Sequence, residues 1–136
     1  GVQTCALPIS QPTAARCFAL GKAIRKAVES FDEDLKVVIA GTGGMSHQIH
    51  GERSGLINKE FDNAFLDRLT TSPAELTKIT HAEYVREAGA EGMEIIMWLT
   101  MRGALDDDVD LVHRFYHVPA MNTAVGNLVL ENRRSA

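Results

Sequence analysis

The chain of 136 residues is 45% hydrophobic and 24% charged, which fits one soluble globular domain or a piece of one and argues against disorder. Its 18 acidic residues outnumber 14 basic ones, and the formal net charge of −4 gives no basis for binding a phosphate backbone. No apolar run approaches the roughly 20 residues that span a bilayer. We therefore expect a cytoplasmic protein that contacts neither nucleic acid nor membrane.

The first nine residues differ in character from the rest of the chain. The sequence begins with glycine rather than methionine, and residues 1–9 resemble the translation of a common sequencing-library adapter. Segments of this kind must be set aside before a fold is derived. We predict that residues 1–9 are adapter read-through and that residues 10–136 are native protein that continues upstream.

A helix followed by a strand is predicted in the first third of the chain. Residues 13–31 carry apolar side chains at three- and four-residue spacing, and Thr13 is a suitable start for this helix. Residues 37–40 (Val-Val-Ile-Ala) form a short β-branched run that is typical of a strand buried on both faces. The glycine turn at residues 41–44 follows, and in open α/β sheets such strand ends carry ligand sites. This order predicts an α/β unit.

Capping motifs mark the helices that follow. Residues 59–69 have an apolar stripe typical of a helix, and residues 72–75 form a capping box with proline at the first helical position. A second capping box at residues 80–83 predicts the start of a long helix that runs to about Arg102.

Two glycines and two strands complete the predicted elements. Gly89 and Gly92 lie inside the long helical pattern, where each costs roughly 1 kcal/mol relative to alanine, so we expect them to permit close packing or a bend near a functional group. Residues 111–118 and 123–130 are predicted to be two closing strands, separated by a turn that contains proline.

His47 and Glu94 are the first candidates for chemistry. His47 follows the glycine turn, where a loop side chain projects into a cleft from a rigid base; the alternative is a partly exposed loop histidine. Glu94 lies in an apolar stretch, where an ionised carboxylate needs a partner or a metal ion. Its alternative is a solvated helix face shared with Glu87 and Glu91. Four further polar residues are either exposed strand residues or the wall of a polar pocket: Arg114, Tyr116, His117 and Asn122.

Several motifs occur together and in order, and they include residues 41–48 (Gly-Thr-Gly-Gly-Met-Ser-His-Gln), residues 86–94 with Glu94, and residues 115–124. In this combination the chain resembles the class III (LigB-type) extradiol ring-cleavage dioxygenases, and most closely the β subunits of protocatechuate 4,5-dioxygenases. The resemblance implies that residues 10–136 are the C-terminal part of a catalytic domain. The fold it implies is α/β, as part of a three-layer α/β/α domain with a mixed sheet.

The resemblance also implies a cofactor and roles for two residues. The family holds a non-haem Fe(II) with two histidines and one glutamate and uses O₂ as co-substrate. Glu94 matches the glutamate ligand, whereas both histidine ligands are expected upstream of residue 10, so the 136 residues alone are not expected to bind iron natively. His47 matches the general acid/base, a role suited to imidazole near neutral pH.

The substrate and the partners are expected from the same resemblance. Asn122 matches a residue that holds the substrate carboxylate, and Met121 stands beside it where the family leads us to expect serine. The expected reaction opens the ring of protocatechuate to a hydroxymuconic semialdehyde, with gallate or a related dihydroxybenzoate as the alternative substrate. A small α subunit in a hetero-oligomer is the expected partner. A relative without catalytic activity, binding an aromatic ligand or a protein partner in the same cleft, is the alternative of another class.

Overall fold

The computed structural model describes residues 11–133, so the predicted read-through segment lies outside the described residues. Helices and a two-stranded sheet occur together in this part of the chain, which confirms the predicted α/β class. No helix among residues 11–133 is long and apolar enough to cross a membrane. The elements in chain order are α1 (Ala14–Glu29), α2 (Lys59–Thr71), α3 (Pro73–Leu76), α4 (His81–Ala88), a 3₁₀ helix (Gly92–Met97), α5 (Trp98–Gly103), β1 (Val109–His117) and β2 (Val125–Asn132).

The first helix begins where the sequence predicts and packs against α5. The Thr13 hydroxyl accepts a hydrogen bond from the Arg16 amide at 3.2 Å, which satisfies one of the free N–H groups of the first turn. The two helices approach closely at Gly21, where an added Cβ would lie 2.2 Å from the carbonyl oxygen of Thr100. Only a residue without a side chain fits at this crossing.

The predicted strand at residues 37–40 is wrong within the described residues. No backbone ladder forms there, and Val37 and Val38 are 44% and 81% exposed instead of buried. β-branched side chains favour a pleated backbone, but a strand also needs a neighbouring strand to accept its hydrogen bonds. Residues 36–41 and β2 instead line a groove of about 560 Å³.

The two predicted capping boxes have different outcomes. The second is confirmed: the Glu83 amide donates to the Thr80 hydroxyl at 3.3 Å, and the Thr80 amide donates to the Glu83 carboxylate at 2.8 Å. The first is wrong as a box, although Pro73 does begin α3, because the Ser72 side chain makes no capping hydrogen bond. The carboxylate that would complete this box, that of Glu75, pairs with Lys78 at 2.7 Å.

The long helix predicted from Thr80 to about Arg102 is three shorter helices. The first, α4, ends at Gly89, whose φ of 94° and ψ of 166° are accessible almost only to glycine. Residues 89–91 separate α4 from the 3₁₀ helix, and α5 follows the 3₁₀ helix directly. Glycine therefore ends the first helix where the apolar periodicity alone predicted that it continues.

The closing strands form an antiparallel hairpin and confirm that prediction, each with bounds shifted by one or two residues. Tyr116 pairs with Gly126 and His117 with Val125, and one irregularity interrupts the register between Leu111 and His113. One face of the hairpin packs on α2. The core between these elements includes Phe65, Leu66, Leu69, Tyr84, Ile95, Trp98 and Leu99.

Candidate active site

The segment that carries His47 is held by the chain that leads into β2. The Met45 amide donates to the Ala124 carbonyl at 3.0 Å, and the Ala124 amide donates to the Ser46 carbonyl at 3.2 Å. His47 and Thr123 form an isolated antiparallel bridge beside them. Residues 45 and 46 form a bend and His47 has only this one bridge, so the segment is a loop, as the sequence predicted, with its backbone tied to the residues before β2.

The backbone of His47 is also fixed from the opposite direction, by the break between α4 and the 3₁₀ helix. Its amide donates to the Ala88 carbonyl at 2.8 Å, and its carbonyl accepts from the Gly92 amide at 3.1 Å. Added Cβ atoms would lie 2.1 Å from the His47 oxygen at Gly89 and 2.9 Å from the His47 nitrogen at Gly92. The prediction that these two glycines permit close packing is confirmed.

The side chain of His47 has a defined orientation. The residue is only 6% exposed, so the alternative of a partly exposed loop histidine is wrong. Its Nδ1 lies 2.8 Å from the carbonyl oxygen of Met45. Because a carbonyl only accepts hydrogen bonds, Nδ1 carries the proton and Nε2 of the neutral imidazole is free to accept one. This Nε2 lies 3.9 Å from Oε1 of Glu94.

Glu94 reaches this imidazole from the 3₁₀ helix. Its Oε1 accepts a hydrogen bond from the Gly44 amide at 2.6 Å, and its side chain is 50% exposed. Glu94 does not share one helix face with Glu87 and Glu91, because α4 ends after Glu87 and Glu94 lies in the separate 3₁₀ helix. The Glu87 carboxylate accepts from Asn58 at 3.1 Å, and the Glu91 carboxylate from the Ile49 amide at 3.3 Å.

The ligands for a metal ion are incomplete in the described part of the chain. Within residues 11–133, no three His, Cys, Asp or Glu side chains converge in a group that could hold a metal ion. A site made of two histidines and one carboxylate needs one donor of the kind that Glu94 provides. The carboxylate of Glu94 is half-exposed, and one of its oxygens, Oε1, accepts the hydrogen bond from the Gly44 amide. The described residues therefore fit one of the three ligand positions.

The two substrate residues expected from the resemblance lie in the turn between the strands. Asn122 directly precedes Thr123, the bridge partner of His47, and its Oδ1 is 3.9 Å from the position that a Cβ on Gly55 would occupy. Met121 is 69% exposed. Asn122 is thus exposed next to the residue that bridges His47, and Met121 is largely exposed to solvent.

The sequence did not indicate a role for Asp62, a buried acid that bonds Ser46 next to His47. Asp62 of α2 is 0% exposed and accepts hydrogen bonds from the Ser46 amide at 2.8 Å, the Ser46 hydroxyl at 2.6 Å and the Tyr116 hydroxyl at 2.8 Å. Burial raises the pKa of Asp62, while the hydrogen bonds from Ser46 and Tyr116 act to lower it. A signal was present, since Asp62 lies three residues before Phe65 on the apolar stripe of α2.

The three polar candidates on β1 have different surroundings. Tyr116 joins this buried cluster, and burial followed by its bond to Asp62 raises the pKa of its phenol. Arg114 binds Asp67 and Asn63 on α2. His117 is exposed at the end of β1. Of these three residues, Tyr116 therefore lines a polar interior, Arg114 is paired with α2 and His117 lies at the surface.

Comparison with known proteins shows the family of the chain. A family model described as the catalytic LigB subunit of aromatic ring-opening dioxygenase matches residues 2–126. The chain belongs to the LigB family. Membership confirms the family to which the motifs pointed, and it places His47, Glu94 and Asn122 within the matched region.

A similar LigB-family protein carries a substrate in its name. The gallate dioxygenase of Pseudomonas putida is 53% identical over 130 residues, which make up 96% of this chain. The same region is only 37% of that protein, so the chain spans little more than a third of the length of its relative. The predicted similarity to protocatechuate 4,5-dioxygenases is thus supported at the level of the family.

Proposed function

We propose that the full-length protein is an extradiol dioxygenase that opens the ring of gallate or a closely related dihydroxybenzoate. Identity of 53% to a gallate dioxygenase over nearly the whole chain is the observation that carries this proposal. This identity favours gallate over protocatechuate as the proposed substrate. In a dioxygenase reaction both atoms of O₂ enter the product, so ring opening needs no external reductant.

His47 is the proposed acid/base of this reaction. With Nδ1 held against the Met45 carbonyl, its free Nε2 accepts the proton that a ring hydroxyl of the substrate releases. The protonated imidazole then returns this proton as the ring opens. Its burial keeps the ring in one orientation, with Nε2 3.9 Å from the Glu94 carboxylate.

Glu94 is the proposed carboxylate ligand of Fe(II), together with two histidines outside the described residues. When bound, Fe(II) would hold the substrate hydroxyls and activate O₂. The hydrogen bond from the Gly44 amide fixes one carboxylate oxygen of Glu94 and so orients the other. A substrate held beside Glu94 is also beside His47, because Nε2 and Oε1 are 3.9 Å apart.

Asn122 is proposed to bind the carboxylate of the substrate. Its amide group donates hydrogen bonds, and its neighbour Thr123 pairs with His47, which supports this role. Met121 adds bulk but no donor at the adjacent position, so a substrate carboxylate gains fewer hydrogen bonds than serine would offer there. A small α subunit remains the predicted partner of the full-length protein.

The proposal is tested on the purified full-length protein loaded with Fe(II). Oxygen uptake is measured with gallate and with protocatechuate, and kcat/KM is expected to be higher for gallate. A Glu94→Ala variant should lose bound iron and, with it, oxygen uptake. Absence of uptake with gallate, protocatechuate and every other dihydroxybenzoate tried would contradict the enzyme proposal and favour a relative that only binds aromatic ligands. Higher kcat/KM for protocatechuate would contradict the substrate alone.

A further inference from the structure

One peptide group connects the buried acid Asp62 with the imidazole of His47. The carbonyl of Met45 and the amide of Ser46 belong to the same peptide unit, which is planar and trans. The amide end donates to Oδ1 of Asp62 at 2.8 Å, and the carbonyl end accepts from Nδ1 of His47 at 2.8 Å. The orientation of this plane therefore depends on the carboxylate at one end and sets the imidazole at the other.

The carboxylate of Asp62 is itself held firmly. Its second oxygen, Oδ2, accepts from the Ser46 hydroxyl at 2.6 Å and from the Tyr116 hydroxyl at 2.8 Å. The Ser46 hydroxyl in turn accepts from the Asn58 amide at 2.7 Å, so its own proton is directed at Asp62. Three donors directed at one buried group match an ionised carboxylate, which only accepts hydrogen bonds.

We propose that Asp62 is a positioning residue for His47, acting through the peptide group between Met45 and Ser46. This inference rests on the proposed function, because it assigns His47 the acid/base role. The hydrogen bonds of Asp62 go to Ser46 and Tyr116 and not to Asn122 or Glu94, and its effect is to keep Nδ1 on the Met45 carbonyl and Nε2 directed at Glu94. Hydrogen bonds in such a chain polarise one another, so the carboxylate also strengthens the bond to the imidazole.

Two substitutions of Asp62 in the full-length, iron-loaded protein test this role. Asp62→Ala leaves the Ser46 amide without an acceptor, and a displacement of about 1 Å at the imidazole would lower kcat about 100-fold. Asp62→Asn keeps one acceptor for the Ser46 amide but leaves the protons of both hydroxyls without one. We expect it to fold and to lower kcat about tenfold. For both variants, KM and iron content should stay within about twofold of the wild type.

The matched control is Asp67→Asn, the same change on the same helix. The Asp67 carboxylate binds Arg114 of β1, as Asp62 binds Tyr116 of β1, but Asp67 does not contact residues 45–47. Its kcat and KM should equal those of the wild type. If Asp62→Ala does not fold, Asp62→Asn still decides the question, since wild-type kcat in that variant would overturn the proposal. A large rise in KM or loss of iron, with kcat unchanged, would overturn it as well.

Crystal structures provide a readout that needs no turnover. In full-length Asp62→Ala, which removes the acceptor of the Ser46 amide, we expect the distance from His47 Nδ1 to the Met45 oxygen to lengthen beyond hydrogen-bonding range, whereas Asp67→Asn should keep the wild-type contact of 2.8 Å. An unchanged contact in Asp62→Ala would overturn the positioning role. A wild-type protein that cleaves neither gallate nor any dihydroxybenzoate would instead refute the proposed function, and the structural comparison would still stand.

Discussion

Replacing Gly89 by alanine in the full-length protein should impair His47 without touching its side chain. Gly89 ends α4 with a φ of 94°, and its backbone passes directly over the carbonyl of His47. An alanine Cβ at this position would lie 2.1 Å from the His47 oxygen. Since real Cβ contacts essentially never fall below 3.0 Å, the two backbones must separate by at least 0.9 Å.

The size of the effect follows from this displacement. A residue other than glycine in this backbone conformation costs about 1–3 kcal/mol, and overpacking adds about 1–3 kcal/mol. We therefore expect the free energy of unfolding to fall by about 2–6 kcal/mol. A shift of about 1 Å at a catalytic group lowers the rate about 100-fold, so kcat of the folded fraction should fall to this extent.

Urea denaturation followed by circular dichroism measures the stability, and oxygen uptake per bound iron measures kcat. The matched control is Gly51→Ala: Gly51 also has a positive φ, of 83°, but an added Cβ would meet only the Gln48 side chain at 3.6 Å. This control should lose some stability and keep its kcat. If folded, iron-loaded Gly89→Ala turns over at the wild-type rate, the proposed dependence of His47 on this close approach is wrong.

Three further predictions concern the substrate, the packing and the thiol. Asn122→Ala should raise KM for gallate about ten- to hundredfold by removing a hydrogen bond to the substrate carboxylate, and unchanged KM in oxygen-uptake assays would refute that role. Gly21→Ala should lower the free energy of unfolding by about 1–3 kcal/mol, because its Cβ would lie 2.2 Å from the Thr100 oxygen; an unchanged urea midpoint would contradict this. Burial raises the pKa of Cys17, so less thiolate is present at any given pH and alkylation should begin at higher pH than in the unfolded chain. Mass spectrometry of the labelled peptide checks this, and equal labelling rates at pH 8 would count against it.

The parts of the fold that sequence predicted are those specified by neighbouring residues. Thr13 and the reciprocal pair of Thr80 and Glu83 cap their helices within one helical turn. The hairpin is marked by two strand-like segments on either side of a short turn. Residues 37–40 failed because a strand is not a local property. Their composition favours β structure, but the partner strand must come from elsewhere in the chain.

For the candidate site, the sequence indicated single residues but not their arrangement in space. The glycine turn marked His47, and the apolar surroundings marked Glu94, yet their proximity depends on the break at Gly89 that periodicity could not locate. Asp62 was missed because its partners are 16 and 54 residues away in the sequence. An acid on an apolar helix stripe indicates a buried partner without identifying which residue it is.

The most direct test of the proposed chemistry is kcat of full-length His47→Ala loaded with Fe(II). The imidazole is 6% exposed, with Nδ1 fixed at 2.8 Å from the Met45 oxygen and Nε2 free, as a general base requires. We predict that iron content equals that of the wild type, while kcat for gallate falls about 10²–10⁴-fold. Wild-type turnover by this variant would contradict the assignment of His47 as the acid/base.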